Sequence, residues 1–299
     1  MARKILRWVL WALLALLVLF AIQIARNWDT IQRTMLGGLH VYETTPPPLP
    51  AEIKRPAILI FSKTNGFRHE EAIPAANALF AKMAADRGWG HFQTENGATF
   101  DPTILSRFDA IVFNNVSGDV FTPKQREALK GFIENGGGFV GVHGAGGDFS
   151  YDWKWYVDHL IGAQFTGHPL NPQFQRATVD VADPTHPATQ GLPKAWQRTD
   201  EWYSFDKAVG APDYHVLLTL DERTYPNKKI MGRDIAMGAN HPIAWWHCSG
   251  KGRVLYSAMG HQAGAYAEPE YRAMLTNAVG WALNGSECGA NPAQKAGVK

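Results

Sequence analysis

The sequence predicts an α/β domain, a mostly parallel sheet flanked by helices, with an antiparallel extension in its second half and a transmembrane helix at its N-terminus. Three observations carry that expectation. Short apolar runs of strand length alternate with helical stretches through the first half. Strand-like runs follow one another without long helices between them in the second half. An uncharged stretch, Trp8 to Ala25, opens the chain behind Arg3, Lys4 and Arg7.

That stretch has 18 residues, which as a helix span about 27 Å, close to the roughly 30 Å hydrocarbon core of a bilayer. Residues 1–27 are therefore expected to be a membrane anchor. A cleaved secretory signal is the competing reading, disfavoured because "AIQIARN" lacks a small-x-small cleavage pattern. The basic cluster precedes the span, so the positive-inside tendency keeps the N-terminus in the cytoplasm of a bacterial-type inner membrane. A single-pass protein with a periplasmic or otherwise extracytoplasmic body follows. Residues 28–55, with Pro46, Pro47, Pro48 and Pro50, read as a semi-rigid Pro-rich linker.

The α/β domain is expected over residues 56–285. "AILIFS" (57–62) and "FDAIVFNNV" (108–116) read as buried strands, and "EEAIPAANALFAKMAADRG" (70–88) as a helix. In "TPKQREALKGFIENGGG", Thr122 is a good N-cap, Pro123 suits the first helical position, Gln125 completes a capping box, and Gly136 ends the helix. The strand "GFVGV" follows, then a short helix over 153–162. "ATVDVAD", "HVLLTLD", "PIAWWHCS" and "RVLYSAM" are the later strands, and "YRAMLTNAVGWALNG" (271–285) is the closing helix. Residues 286–299 read as a poorly ordered tail, and no internal repeat is evident.

Charge excludes one class of function. Removing Arg3, Lys4, Arg7 and Arg26 from 29 basic residues leaves 25 against 27 acidic ones. A near-neutral body is not built to neutralise phosphates, so no nucleic-acid partner is expected. Cys248 and Cys288 lack metal-type spacing; either a disulfide or two unpaired thiols is compatible with them.

Ligands of open α/β sheets bind beyond the carboxyl ends of the strands. Arg68 and His69 follow the first strand, His143 and Asp148 follow "GFVGV", and His261 follows the last strand. Three histidines from distant parts of the chain are thus predicted at one rim. "GGGFVGVHGAGG" has the outline of a nucleophile elbow, with His143 where such turns carry Ser or Cys. His168, Glu201 and Trp202 are further ligand-binding candidates, with Trp153, Trp155, Tyr156, Tyr203 and Tyr266 as aromatic walls and Asp200 as a hydroxyl partner. Trp245 and Trp246 read as core, and His186 as structural.

"TNGFRHEEAI", "GGGFVGVHGAGG", "TGHP", "DPTHPATQGLP", "DEWYSF" and "GKGRVLYSAMGHQAGAYAEPEYRAMLTNAVGWALNG" occur in order over 56–285. Together they resemble the trehalose-utilisation (ThuA-like) family. The resemblance implies a fold similar to class I glutamine amidotransferases, a flavodoxin-like arrangement whose elbow holds cysteine and whose last core strand ends in a catalytic histidine followed by glutamate. His143 takes the cysteine position and His261 resembles the triad histidine, but Ala263 stands where that glutamate would be. Glutaminase chemistry, which needs a thiolate there, is rejected.

The resemblance further implies a carbohydrate ligand, of the trehalose type or a keto-sugar derivative. His143 and His261 are assigned to acid–base catalysis as a hydrolase, lyase or isomerase, and Arg68, His69, Asp148, His168, Glu201 and Trp202 to substrate binding. No cofactor is assigned. No HExxH-like spacing is present, so a divalent metal ranks below acid–base work. The alternatives are a non-catalytic carbohydrate-binding or envelope module and a His-ligated metalloenzyme.

Overall fold

The computed structural model describes residues 2–149, 151–210, 212–284 and 288. Helix α1 (Ala2–Arg26) is apolar and long enough to cross a membrane, and none of its apolar window is buried against the protein. Only Asn27 separates it from α2 (Trp28–Met35). Hydrogen bonds from Asn27 N to Gln23 O (3.1 Å) and from Ile31 N to Asn27 O (2.9 Å) link the two helices through that residue.

The domain then alternates as expected through β1 (Ala57–Phe61), α3 (Ala72–Arg87), β2 (Gly90–Thr94), the single turn α4 (Pro102–Leu105), β3 (Ala110–Asn114), α5 (Pro123–Glu134) and β4 (Gly138–Val142). All of β1, β3 and β4 is buried, as strands covered on both faces must be. Helix α5 starts at the capping box Thr122–Gln125 with Pro123 in its first turn. Gly88 (φ 70°) closes α3 in the left-handed conformation, which glycine adopts without a Cβ penalty. The short helix expected over 153–162 is a π-helical turn, Trp155–Ile161, ended by Gly162.

The second half supplies β5 (Phe174–Val181), β6 (Ala195–Glu201), β7 (His215–Asp221), β8 (Pro242–Ser249), β9 (Gly252–Ser257) and the closing α6 (Pro269–Asn284). The nine strands form one sheet in the order β2-β1-β3-β4-β9-β8-β7-β5-β6. The pairs from β2 to β9 are parallel, and those from β9 to β6 are antiparallel. Parallel register sets Asn114 and Ser257 on either side of Val142, so three strands end level at one rim.

Residues 33–45, read from sequence as part of a spacer, are hydrogen-bonded along the domain surface. Leu39 N donates to Asn65 O (2.6 Å), Tyr42 OH to Asp119 (2.9 Å), and Lys63 Nζ to Val41 O (2.6 Å). Prolines 46–50 follow this stretch rather than interrupting it. Cys248 and Cys288 form a disulfide, which ties the chain beyond α6 to β8. Apart from Cys288, the tail from Ser286 lies outside the described residues.

Candidate active site

The site begins at the turn after β4. His143 has φ 45°, a conformation non-glycine residues seldom adopt and one that active sites often retain. Neighbours hold it there. Its carbonyl accepts from Tyr256 OH (2.8 Å), its ring stacks on Tyr203 (centroids 4.2 Å apart), and its Nδ1 lies 2.7 Å from Ala258 O. A carbonyl can only accept, so Nδ1 carries a proton. The next residue must be small, because a Cβ on Gly144 would sit 3.1 Å from the His69 ring and 3.2 Å from the Asn115 backbone.

His261 follows β9 across Gly260 (φ 116°). Asp200 pins this turn, accepting from Gly260 N (2.8 Å) and His261 N (3.1 Å). Arg198, buried beside it, pairs with Asp200 at 2.9 Å. His69 comes from the loop after β1 and is buried; its Nδ1 has no hydrogen-bond partner. Its ring centroid lies 4.7 Å from that of His143 and 4.6 Å from that of His261.

Glu201, the last residue of β6, meets both His143 and His261. Its Oε2 is 3.0 Å from His261 Nδ1 and 3.5 Å from His143 Nε2, while His143 Nε2 and His261 Nδ1 are 3.2 Å apart. Its Oε1 faces His168 Nε2 (3.2 Å) and accepts from Gln173. Burial pushes the Glu201 carboxyl up, but hydrogen bonds from His143 and His261 outweigh it and hold the group ionised, well below the usual carboxylate range. His69 moves the opposite way for a base: burial first, then the neighbouring His143 and His261, lower it well below the ordinary imidazole value. One ligand atom from each of His69, His143, Glu201 and His261 lies within 4.8 Å of the others, a donor set able to hold a metal ion.

The group opens into a cavity of about 500 Å³, a size suited to a small organic ligand. Asp148, His168, Phe67 and Tyr203 line it. So do Arg33, Met35, Gly38 and His40, which makes the segment following the apolar helix one wall of the cleft.

His69, His143, His168, Glu201, His261 and Asp148 thus share one site, while two expected members stand apart from it. Arg68 is turned onto Glu95 (2.9 Å) and Glu70 (3.2 Å) and does not line the cavity. Trp202, just beyond β6, is 1% exposed and packs into the core, its indole donating to Gln175 O (2.8 Å). Trp153, Tyr156 and Tyr266 are likewise buried, whereas Phe67 and Phe149, unremarked in the sequence, are exposed at 48% and 70% and line the cleft. Gln173 was also missed, as no motif marks it. His186 is structural: its Nδ1 accepts from Ala188 N (3.1 Å) at a helical turn.

The family model for ThuA, described as trehalose utilisation, matches residues 57–282. The chain belongs to the ThuA family. A crystal structure of a ThuA-like protein from Bacteroides uniformis ATCC 8492 is 27% identical, with a TM-score of 0.67, covering 81% of this chain and 97% of that one. A ThuA-like protein from Parabacteroides merdae ATCC 43184 is 18% identical, with a TM-score of 0.59, over 78% of this chain and 91% of that one. No curated protein matches the sequence. Relative to the amidotransferase pattern, this ThuA domain has His143 at the elbow and both cysteines in a disulfide, so no thiolate is available for acyl transfer. The acceptor for His261, missing two residues downstream at Ala263, is supplied instead by Glu201.

Proposed function

We propose that this ThuA domain acts outside the cytoplasm on a carbohydrate, a trehalose-type disaccharide or a keto-sugar derivative, through acid–base chemistry at the imidazole–carboxylate cluster. The observation that carries the reading is the convergence of His69, His143 and His261, from three separate strand ends, on the buried carboxylate of Glu201 beside an open cleft. Proton transfer needs a basic atom facing the ligand and a group that compensates the charge it gains. Glu201 supplies the compensation and the cluster supplies the base. Keto-sugars, with protons made labile by the adjacent carbonyl, suit such a base, and Phe67 and Tyr203 offer apolar faces to sugar C–H groups. The apolar N-terminal helix and the Cys248–Cys288 disulfide support placement beyond a membrane.

A panel of disaccharides and their oxidised derivatives, incubated with the full chain and followed by mass spectrometry, tests the reading. Conversion is expected, with loss of about 10²-fold or more in turnover for a His143→Ala/His261→Ala double variant. Saturable binding without any product would establish a carbohydrate-binding module instead. Full turnover by the double variant would remove the cluster from the chemistry.

A further inference from the structure

Four potential ligand atoms, one each from His69, His143, Glu201 and His261, crowd within 4.8 Å of one another. In the neutral imidazole, Nε2 of His143 is an acceptor because Nδ1 donates to Ala258 O, and Glu201 Oε2, 3.5 Å away, is an acceptor too. With neutral imidazoles, the proton that His261 Nδ1 can hold must serve both acceptors at 3.0 and 3.2 Å, and the buried His69 Nδ1 adds a nitrogen with no partner. Acceptors crowded on one point call for a cation at their centre.

We infer that His69, His143, Glu201 and His261 bind a divalent first-row transition ion, with zinc the best fit. Tetrahedral donors at about 2.1 Å from such an ion lie about 3.4 Å from one another. The triangle formed by His143 Nε2, His261 Nδ1 and Glu201 Oε2 has edges of 3.2, 3.0 and 3.5 Å. His69 closes the set within the 4.8 Å that contains all four ligand atoms. Three imidazoles and one carboxylate are borderline donors, suited to zinc, cobalt, iron or manganese rather than to magnesium or calcium.

The surroundings match a metal centre as well. Ala258 O orients His143, and Gln173 with His168 occupies Oε1 of Glu201, which leaves Oε2 for the ion. Asp200 fixes the backbone that carries His261. The chemical role of the ion deepens the carbohydrate reading and rests on it: with four protein donors, the ion would have to take a sugar oxygen or hydroxide as a fifth ligand to polarise it or act as base. Metal binding itself does not depend on that reading.

The full chain, purified in detergent without a tag, stripped with chelator and titrated with Co²⁺ in the absence of sugar, tests the inference. One ion per chain with visible d–d absorption is expected, displaced by Zn²⁺. Glu201→Ala and His261→Ala should each weaken uptake by about 100-fold or more, and Gln173→Ala by about 10-fold, while His91→Ala at an exposed position leaves it unchanged. Wild-type protein that takes up no stoichiometric cobalt or zinc overturns the inference even if the variants fail to fold. So does equal uptake by a folded His143→Ala/His261→Ala/Glu201→Ala variant. Stoichiometric metal without conversion of any sugar would count against the carbohydrate reading alone, whereas turnover that survives stripping would count against a role of the ion in the chemistry and leave its binding standing.

Discussion

The parallel and antiparallel halves of the sheet contribute to the site by different routes. The parallel half delivers His69, His143 and His261 from loops directly after β1, β4 and β9, as strands ending level at a common rim must. The antiparallel half delivers Glu201 from β6, four places from β9 in the sheet order. That edge meets His261 through the Glu201 carboxylate, 3.0 Å from His261 Nδ1, and through Asp200 on the Gly260–His261 turn. Imidazoles placed by the parallel strand ends are therefore held together by a carboxylate from the antiparallel edge.

The comparison can be broken most forcefully at Asp200, which joins the halves. Asp200→Ala leaves the buried Arg198 with only Glu268 (3.3 Å) as a charged partner and frees the Gly260–His261 turn, so a loss of about 3–5 kcal/mol is expected, read from the urea midpoint. A change within ±0.5 kcal/mol would mean that the halves are held together elsewhere. Within the parallel half, Gly144→Ala forces a Cβ against His69 and the Asn115 backbone, at an expected cost of about 1–3 kcal/mol together with weaker ligand or metal uptake. Unchanged stability and uptake would show that this rim tolerates displacement.

Within the antiparallel half, Glu222 accepts from Met237 N (2.7 Å), Gly238 N (3.0 Å) and His241 Nδ1 (2.8 Å), while His241 Nε2 meets Tyr203 O at 2.7 Å. Burial raises the Glu222 carboxyl, yet the His241 and backbone hydrogen bonds prevail and set it below the ordinary carboxylate value. A depressed carboxylate stabilises the fold above its unfolded value and loses that contribution as pH falls through the folded one. Stability should therefore decline below about pH 4.5, and Glu222→Gln should flatten that decline while costing about 1–2 kcal/mol at neutral pH. Parallel acid limbs for the two proteins would refute the assignment. The smallest effect is expected far from the cleft, where Thr122→Ala removes the α5 cap for about 1 kcal/mol and leaves ligand uptake unchanged. An effect on uptake would show that α5 is coupled to the rim.

Much of this architecture was legible before any coordinates. Alternating apolar runs marked β1, β3 and β4, and the Thr122–Gln125 box marked the start of α5. The three histidines were predicted at one rim because position after a strand is a local property of the chain. Arg68 and Trp202 misled for a complementary reason. Residue type suggested ligand contact, but carboxylates from other segments captured the first and core packing took up the second. Gln173 and the wall around Arg33 left no signature, since their roles depend on contacts with residues distant in sequence.

Sequence alone determined the fold class, the apolar N-terminal helix, the absence of an elbow thiolate and the rim on which His69, His143 and His261 lie, because each follows from local pattern, composition or strand order. Tertiary structure alone decided that Glu201 would sit among those imidazoles, that residues 33–40 would wall the cleft, and that Cys248 would pair with Cys288. Those outcomes depend on contacts between residues far apart in the sequence, and these are not encoded in the spacing of neighbouring residues.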